Sequence, residues 1–324
     1  MTYPQALEYL DSFSNYEQIV RYSYPEAFSL ERVERLLERL GRPERRCPTL
    51  HVAGTKGKGS TCAFAASILS AAGLRTGLYT SPHLASFRER IRVGGEPIPE
   101  EDLAEVVRRI RPFTLRQGEG RDLTYFEVTT ACAFLYFAMR GVQAAVVEVG
   151  MGGRLDATNL LLPEAAAITP VSFDHTDKLG ETLAQIAEEK AGILKPGRPA
   201  VIAPQHPESG RVIERTALRV GAPLHWLERE TRIEGVELSR RGSRAVLQTP
   251  LRAYHLTIPL LGRHQVTNAA VAVRMVEILS QRRPDLRVTA RHIEEGISRT
   301  SWPGRCQLLE GSPAVLIDGA QNAE

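Results

Sequence analysis

A glycine-rich segment with two lysines lies between a short apolar stretch and a run of small residues. It reads Gly54-Thr55-Lys56-Gly57-Lys58-Gly59-Ser60-Thr61. Glycines let successive backbone N–H groups curl around an anion, and a following helix N-terminus adds partial positive charge. Lys58 can reach terminal phosphates, and Ser60 or Thr61 can face a metal or a phosphate oxygen. The spacing differs from GxxxxGK[ST], and a glycine-rich turn without a ligand is the alternative. Because two adjacent lysines repel each other without an anion, we predict a phosphate-binding loop.

An acidic residue closes another apolar stretch, which begins at Ala144 and ends at Glu148. An unpaired carboxylate in a buried strand is unfavourable. A magnesium ion beside bound phosphates would offset that penalty. The alternative is an ion pair between Glu148 and Arg154.

Two polar clusters follow other predicted strands. Ser81-Pro82-His83 comes after the stretch 76–80, and Asp174-His175-Thr176-Asp177 comes after the stretch 165–171. Ligands of open α/β sheets collect at the carboxyl ends of the strands. His175 is therefore a candidate ligand for a metal or substrate, with a structural or capping histidine as the alternative.

Lys190 lies in a predicted helix whose apolar face contains Leu183, Ile186 and Ala187. Its spacing from them places it on that apolar face. Burial lowers the pKa of a lysine, and a neutral amine could react with CO2 to form an anionic carbamate. The alternative is that the chain reaches solvent past Glu188 or Glu189.

Alternating strands and helices would position these residues. The predicted strands span 49–53, 76–80, 143–149, 165–171 and 200–203. The predicted helices span 60–72, 101–111, 126–140, 182–194, 211–220, 266–279 and 290–298, after helices in the first forty residues. This order predicts an α/β fold with a mostly parallel sheet covered on both faces. Residues 233–261 alternate in polarity and predict an antiparallel β addition.

The composition is that of an ordinary globular protein, with 43% hydrophobic and 24% charged residues among 324. This excludes wholesale disorder and allows one large or two ordinary domains. Net charge is +3, and the dispersed arginines lack an aromatic platform, so we expect no nucleic-acid partner. Lysine occurs five times against 36 arginines. That scarcity suggests that some positions require an amine; we expect Lys178 and Lys195 to be surface residues.

Four scattered cysteines without CxxC spacing argue against a zinc site or disulfide framework and favour a cytoplasmic location. The best apolar run, 128–139, is too short to cross a bilayer, so we expect no membrane contact. We also expect a monomer. Near the C-terminus, the run 314–319 reads as a buried strand entering a loop, which is how an α/β domain begins.

Several motifs occur together in a characteristic order. They are 54–60, Tyr79-Thr80-Ser81-Pro82-His83-Leu84, Glu148-Val149-Gly150-Met151-Gly152-Gly153-Arg154-Leu155-Asp156-Ala157-Thr158-Asn159, Asp174-His175, Glu189-Lys190-Ala191-Gly192, His264-Gln265, Asn268-Ala269-Ala270 and Trp302-Pro303-Gly304-Arg305. Together they resemble the folylpolyglutamate synthase and dihydrofolate synthase family of the Mur ligase superfamily. The resemblance covers essentially the whole chain, and the 148–159 string and the Ser81 motif are its most specific parts.

The resemblance implies an ATP-dependent ligase that joins L-glutamate to folate or dihydropteroate through an acyl phosphate. It implies Mg2+ held by Ser81, Glu148 and His175, a carbamylated Lys190, and catalytic roles for Lys58, Lys190 and His175. The implied nucleotide-binding residues are Gly54, Thr55, Lys56, Gly57, Lys58, Gly59, Ser60, Thr61, Asn268, Arg305 and Asp318. The implied substrate-binding residues are Phe126, Asp156 and Ala157.

The resemblance also implies a domain plan. Residues 1–300 would form the ATP-binding central domain with N-terminal helices, and residues 301–324 a linker and the first strands of a truncated Rossmann-like domain. We therefore expect the 324-residue chain by itself to have little or no ligase activity. Lys56, Gln321 and Ala323 depart from the family, in which asparagine, histidine and proline are common at these positions.

Two other functions fit parts of the sequence. A Mur-type ligase acting on a cell-wall precursor or polyamide would share the phosphate loop, Glu148 and Lys190, but would not require the Ser81 and 148–159 motifs. A GTPase-like switch would use Asp177-Lys178-Leu179-Gly180 as its DxxG motif. The sequence has no Asn-Lys-x-Asp guanine-reading motif.

Overall fold

The computed structural model describes residues 1–19, 28–114 and 123–319, in which helices and strands largely alternate. The helices are α1 (Tyr3–Asp11), α2 (Leu30–Arg39), α3 (Lys58–Ala71), α4 (Glu100–Thr114), α5 (Tyr125–Met139), α6 (Thr176–Leu179), α7 (Leu183–Ala191), α8 (Pro207–Val220), α9 (Leu227–Glu230), α10 (Arg263–Arg282) and α11 (Ala290–Ser298). The strands are β1 (Thr49–Ala53), β2 (Thr76–Tyr79), β3 (Ile91–Val93), β4 (Glu96–Pro97), β5 (Ala144–Glu148), β6 (Ala165–Ile168), β7 (Ala200–Ile202), β8 (Leu224–Trp226), β9 (Arg232–Ser239), β10 (Gly242–Gln248), β11 (Ala253–Ile258), β12 (Gln307–Leu309) and β13 (Val315–Ile317).

Eight of these strands form the central sheet, in the order β4-β3-β2-β5-β1-β6-β7-β8. The strands from β2 to β8 in this order are parallel to one another, and β3 and β4 add an antiparallel edge beyond β2. This confirms the predicted α/β class.

Apolar side chains leave the sheet on both faces, which is why helices cover both. In β5, Ala144 and Val146 pack into a cluster with α3 and α10, whereas Ala145 and Val147 pack into a cluster with α1, α2, α4 and α5. A third cluster joins β6 and β7 to α7 and α8. The near-continuous burial of β1 and β5 is typical of parallel strands covered twice.

The predicted antiparallel addition is a three-stranded sheet of β9, β10 and β11. Its buried side chains, among them Leu247, Tyr254 and Leu256, join the cluster of α3 and α10. The strand expected near residue 315 also forms, as β13, and within the part of the chain that the structure describes it pairs only with β12. Its expected burial is wrong, because Leu316 is 61% exposed in this two-stranded sheet.

The parallel register brings several strand ends to one edge of the sheet. Val52 pairs with Glu148, Ala53 with Ile168, and Tyr79 with Val147. The loops that follow β1, β2, β5 and β6 therefore meet at their carboxyl ends. This is the place where ligands of open α/β sheets bind.

Candidate active site

The glycine-rich loop joins β1 to the N-terminus of α3 and is fixed to the loop after β6. Thr55 and Lys56 donate their backbone N–H groups to Pro170 O at 3.0 and 3.3 Å. The Thr55 hydroxyl donates to Ser172 O and accepts from Ser172 N, both at 3.1 Å. A Cβ on Gly54 would lie 1.9 Å from Thr169 Oγ1. The close approach of the two loops thus requires glycine at this position.

Two further glycines allow other elements to approach the start of α3. Gly57 has φ +81, and a Cβ there would lie 2.3 Å from Asn268 Oδ1 on α10. A Cβ on Gly59 would lie 3.2 Å from Trp302 Nε1 and 3.5 Å from Glu148 Oε2. The 14-residue helix α3 begins at Lys58, so its free N–H groups and a lysine face the same place. The structure therefore brings Asn268 and Glu148 to the predicted phosphate loop.

Gly57 and Gly73 offer a matched test of this close approach, since they flank the two ends of α3 with φ +81 and +78. Nothing lies within 4 Å of a Cβ on Gly73. We expect Gly73→Ala to cost about 1–2 kcal/mol of unfolding free energy and to leave nucleotide affinity unchanged. Gly57→Ala should lower that free energy further and weaken Mg·ATP-analogue binding at least about 10-fold, because Asn268 must move. Urea denaturation and calorimetry measure both; equal nucleotide affinities would contradict the account.

The hydroxyl residues of the loop are both buried at the start of α3. Ser60 is 3% exposed and Thr61 is fully buried. Thr61 Oγ1 has no hydrogen-bond partner among the residues that the structure describes. The nucleotide-binding roles of Ser60 and Thr61 stay predictions.

Glu148 ends β5 as a buried carboxylate, 5% exposed. Its Oε2 accepts a 3.3 Å hydrogen bond from Ser81 N. Burial raises its pKa, while the charges of Lys58 and Arg305 act in the opposite direction. Arg154, the partner considered from sequence, pairs with Glu189 at 2.7 Å. The carboxylate thus lies between the phosphate loop and Ser81, where a hard cation would offset its desolvation.

His175 and Ser81 contribute to the wall of one cavity. His175 precedes α6 with φ 49, and about half of its side chain is exposed. Its partial burial and the charges of Lys190 and Lys58 lower its pKa, while the charge of Asp174 acts in the opposite direction. Mg2+ prefers carboxylate oxygens, so one carboxylate with a neutral imidazole and a hydroxyl makes a weaker magnesium site than three carboxylates would. Among the described ranges no three His, Cys, Asp or Glu side chains form a metal-binding group, so the Mg2+ prediction depends on Ser81 as one ligand.

Lys190 is buried on α7, 4% exposed, and its Nζ donates to Gly54 O at 2.9 Å. The interpretation from helical spacing is confirmed, and the solvent-directed alternative is wrong. Burial, reinforced by the charge of Lys58, lowers the pKa of Lys190 to about 7. A substantial fraction of this amine is therefore neutral near pH 7, which is the form that reacts with CO2.

The lowered pKa makes stability depend on pH in a defined direction. Between pH 7 and the ordinary value of 10.5, the unfolded chain holds a proton on Lys190 that the folded chain does not. The unfolding free energy of the wild type should therefore rise with pH relative to that of Lys190→Met. Denaturant titrations of both proteins from pH 6 to 10, in CO2-free buffer, measure the difference. A difference that stays constant over this range would show that Lys190 titrates normally.

A cavity of about 740 Å3 extends from Ser81 and His175 along the carboxyl edge of the sheet. Phe126 and Asp156 line it as well. Its lining also includes acidic, basic and aromatic side chains from the N-terminal segment, from the segment just before β3 and from α5: Asp11, Tyr16, Glu17, Arg90 and Tyr125. A cavity of this size, lined by aromatic rings and by many polar and charged groups, suits a small polar organic ligand.

Of the three predicted substrate residues, two line the cavity and one lies in the apolar core. The Phe126 ring packs on Gly150, where a Cβ would lie 2.5 Å from Phe126 Cζ. Asp156 accepts from the backbone N–H of Met151 at 3.1 Å and of Thr158 at 2.9 Å, and burial raises its pKa. Ala157 packs instead into the apolar cluster of α5, 3% exposed. The structure thus brings Phe126 and Asp156 to the cavity wall, and the role of Ala157 stays a prediction.

Arg305 lies within electrostatic range of Glu148, and Asp318 contacts the residue that follows Arg305. The charge of Arg305 acts on Glu148, and a Cβ on Gly319 would lie 2.4 Å from Arg305 Nη1. Asp318 accepts from Cys306 N at 2.7 Å, and its charge acts on His264. Gln321 and Ala323 lie outside the described residues.

The expectation that Lys178 and Lys195 are surface residues is wrong. The Lys178 side chain is 9% exposed, pairs with Asp177 at 2.8 Å and contributes to the cavity wall. Lys195 Nζ donates to Asn159 O at 2.8 Å, and burial lowers its pKa. The scarcity of lysine was the one sequence signal that pointed to them.

No helix in the described parts of the chain is long and apolar enough to cross a membrane.

The model of the Mur ligase middle domain matches residues 52–276. A Bacillus subtilis (strain 168) protein named dihydrofolate synthase/folylpolyglutamate synthase is 40% identical over 299 residues, which cover 91% of this chain and 69% of that protein. The folylpolyglutamate synthase of Lacticaseibacillus casei is 34% identical over 319 residues, covering 96% of this chain and 74% of that protein.

Solved structures agree with this. An FPGS–AMPPCP–folate complex superposes with a TM-score of 0.91 at 33% identity, covering 99% of this chain and 77% of the other. A Mycobacterium tuberculosis folylpolyglutamate synthase complexed with ADP gives a TM-score of 0.88 at 35% identity, covering 99% and 70%. With the family model, the sequence identity and the fold in agreement, the chain belongs to the folylpolyglutamate synthase/dihydrofolate synthase family of Mur ligases.

Proposed function

We propose that this protein is an ATP-dependent amide ligase that adds L-glutamate to a folate, to dihydropteroate, or to both. The observation that carries the proposal is the adjacency of two parts. The glycine-rich loop with Lys58 and Glu148 suits a nucleoside triphosphate. Beside it, Ser81 contacts Glu148 and lies in the wall of a cavity that is also lined by aromatic and carboxylate side chains. A phosphoryl group and a substrate carboxylate would thus meet at the carboxyl edge of the sheet.

The proposed reaction has two steps, formation of an acyl phosphate and then formation of the amide. A carboxylate oxygen of the substrate attacks the γ-phosphorus of ATP, ADP leaves, and an acyl phosphate forms. The free amine of glutamate then attacks the acyl carbon, inorganic phosphate leaves, and the nitrogen loses a proton to phosphate or solvent. Lys58 and the N-terminus of α3 stabilise negative charge on the transferring phosphoryl group.

Mg2+ would be held by Ser81, Glu148 and His175 and would supply charge neutralisation for the phosphates. Lys190 as a carbamate would add an anionic oxygen donor next to the loop, since its Nζ lies 2.9 Å from Gly54 O. The carbamate nitrogen keeps one hydrogen, which can still be donated to Gly54 O and would fix the orientation of the carbamate. We further propose that the protein acts in the cytoplasm as a monomer.

Nucleotide and substrate preferences test the assignment. Thermal-shift titration should show stabilisation by Mg·ATP or Mg·AMPPCP and by folate or dihydropteroate. Stabilisation by GTP and not ATP would favour the GTPase-like switch, and stabilisation by a cell-wall precursor but no pteridine would favour another Mur-type ligase. The reaction itself is measured as incorporation of radiolabelled glutamate by the protein, with dihydropteroate and tetrahydrofolate tested separately. No labelled product with either substrate would defeat the folate assignment.

A further inference from the structure

A buried arginine in the cavity wall links the N-terminal segment to the segment just before β3. Arg90, 2% exposed, ends a 3-10 helix, Phe87–Arg90, just before β3. Its Nη1 and Nη2 donate to Glu17 Oε1 and Oε2 at 2.7 and 2.6 Å, and its Nε donates to His83 Nδ1 at 2.8 Å. The guanidinium carbon also lies 5.5 Å from the centre of the Tyr125 ring. Arg90 is thus held on several sides in one orientation.

The contact with Arg90 fixes the protonation of His83. A guanidinium has only donors, so Nδ1 of His83 must be the acceptor and carry no hydrogen. A neutral imidazole with a bare Nδ1 carries its hydrogen on Nε2. Glu17 neutralises the charge of Arg90, so the His83 ring can accept from Arg90 as a neutral imidazole. The Arg90–Glu17 pair therefore selects the tautomer in which His83 presents an Nε2–H donor.

This donor lies at the cavity. His83 is half-buried, packs edge-on against Phe87 with ring centres 6.3 Å apart, and contributes to the cavity wall. No acceptor for Nε2–H is found in the ranges 1–19, 28–114 and 123–319. With Nδ1 engaged, Nε2–H is the one polar group that the ring can offer to a ligand.

We propose that His83 is a substrate-binding residue that donates its Nε2–H to a hydrogen-bond acceptor on the pteridine substrate, either a carbonyl oxygen or an unprotonated ring nitrogen. Arg90 is then a positioning residue, which acts through His83 by fixing its tautomer and ring orientation. This inference rests on the proposed function, because the ligand is the substrate of that reaction. It assigns a role in binding and none in phosphoryl transfer.

A matched pair of variants separates this role from a structural one. The amide oxygen of His83→Asn can replace the Nδ1 acceptor and keep the Arg90 contact, but the side chain has no donor at the Nε2 position. The longer side chain of His83→Gln can place an N–H near the Nε2 position. Folate and 7,8-dihydropteroate are titrated separately into the wild type and both variants by calorimetry. Mg·AMPPCP titration of the same proteins reports on the phosphate loop.

We expect His83→Asn to weaken pteridine binding about 3- to 10-fold, the effect of one lost hydrogen bond, and His83→Gln to stay within about 2-fold of the wild type. Nucleotide affinity should be the same in all three proteins. The reverse order, with Asn like the wild type and Gln weakened, would show that His83 only supports Arg90 and would overturn the inference. A wild type that binds Mg·AMPPCP but neither pteridine would overturn the proposed function as well as this inference.

Discussion

Replacing Lys58 with alanine is expected to weaken Mg·ATP-analogue binding about 100-fold. Lys58 begins α3, and its charge acts on three surrounding groups of the site, Glu148, His175 and Lys190. A hydrogen bond from an ammonium to a phosphate contributes about 1.5–3 kcal/mol, and removing it also leaves phosphate charge uncompensated beside Glu148. The dissociation constant from calorimetry measures the loss.

Lys56 supplies the matched control, because it lies in the same loop and is also half-buried. Its backbone N–H, which donates to Pro170 O at 3.3 Å, is kept in any substitution other than proline. Because asparagine is common at this position in the family and the backbone contact is kept, Lys56→Asn should change nucleotide affinity by no more than about 3-fold. If Lys56→Asn and Lys58→Ala weakened binding equally, the loop would attract phosphate through its net charge alone, and the specific role of Lys58 would be wrong.

Glu148→Gln is expected to move stability and binding in opposite directions. The buried carboxylate has a raised pKa, so at pH 7 its charge opposes folding. Glutamine keeps the shape and the oxygen that accepts from Ser81 N. We expect the unfolding free energy without ligands to rise by about 1–3 kcal/mol at pH 7. The gain should vanish as pH falls below about 4, because glutamate is then protonated in both folded and unfolded chains.

The same substitution should abolish most of the increase in nucleotide affinity that Mg2+ provides, since a neutral amide is a poor ligand for this ion. Glu188→Gln is the control, because Glu188 is exposed on α7; it should leave both quantities unchanged. Urea denaturation and nucleotide titrations with Mg2+ or EDTA measure the two effects. Lower stability combined with unchanged Mg2+ dependence would mean that Glu148 is a structural residue.

The central β1–loop–α3 unit could be predicted from sequence because its physical signals are local. A short apolar run, glycines and a small-residue helix each have a characteristic pattern, and the helix start was predicted two residues late. Lys190 was placed correctly on a buried face for the same reason, since helical spacing determines the direction of a side chain. The edge strands β3, β4 and β8 were not predicted. They are two or three residues long, too short to show a period.

Contacts between distant segments could not be predicted. Glu17 and Arg90 are 73 positions apart, and nothing in either neighbourhood indicates that they pair. Lys178 directly follows the polar cluster 174–177 and has no apolar spacing that predicts burial, yet the fold places its side chain at the cavity wall. β13 shows the opposite error, because an apolar run predicts burial only where another layer packs on it. The motifs identified the chemistry of the site, while its substrate-facing wall depended on tertiary contacts.

Nucleotide and pteridine are expected to occupy adjoining parts of one site at the carboxyl edge of the sheet. Titration of folate into the chain already saturated with Mg·AMPPCP tests it most directly. We predict one folate per chain with the nucleotide still bound in the wild type, and folate binding without the nucleotide in Lys58→Ala. Displacement of the nucleotide by folate, or nucleotide binding without any binding of folate or dihydropteroate, would contradict it.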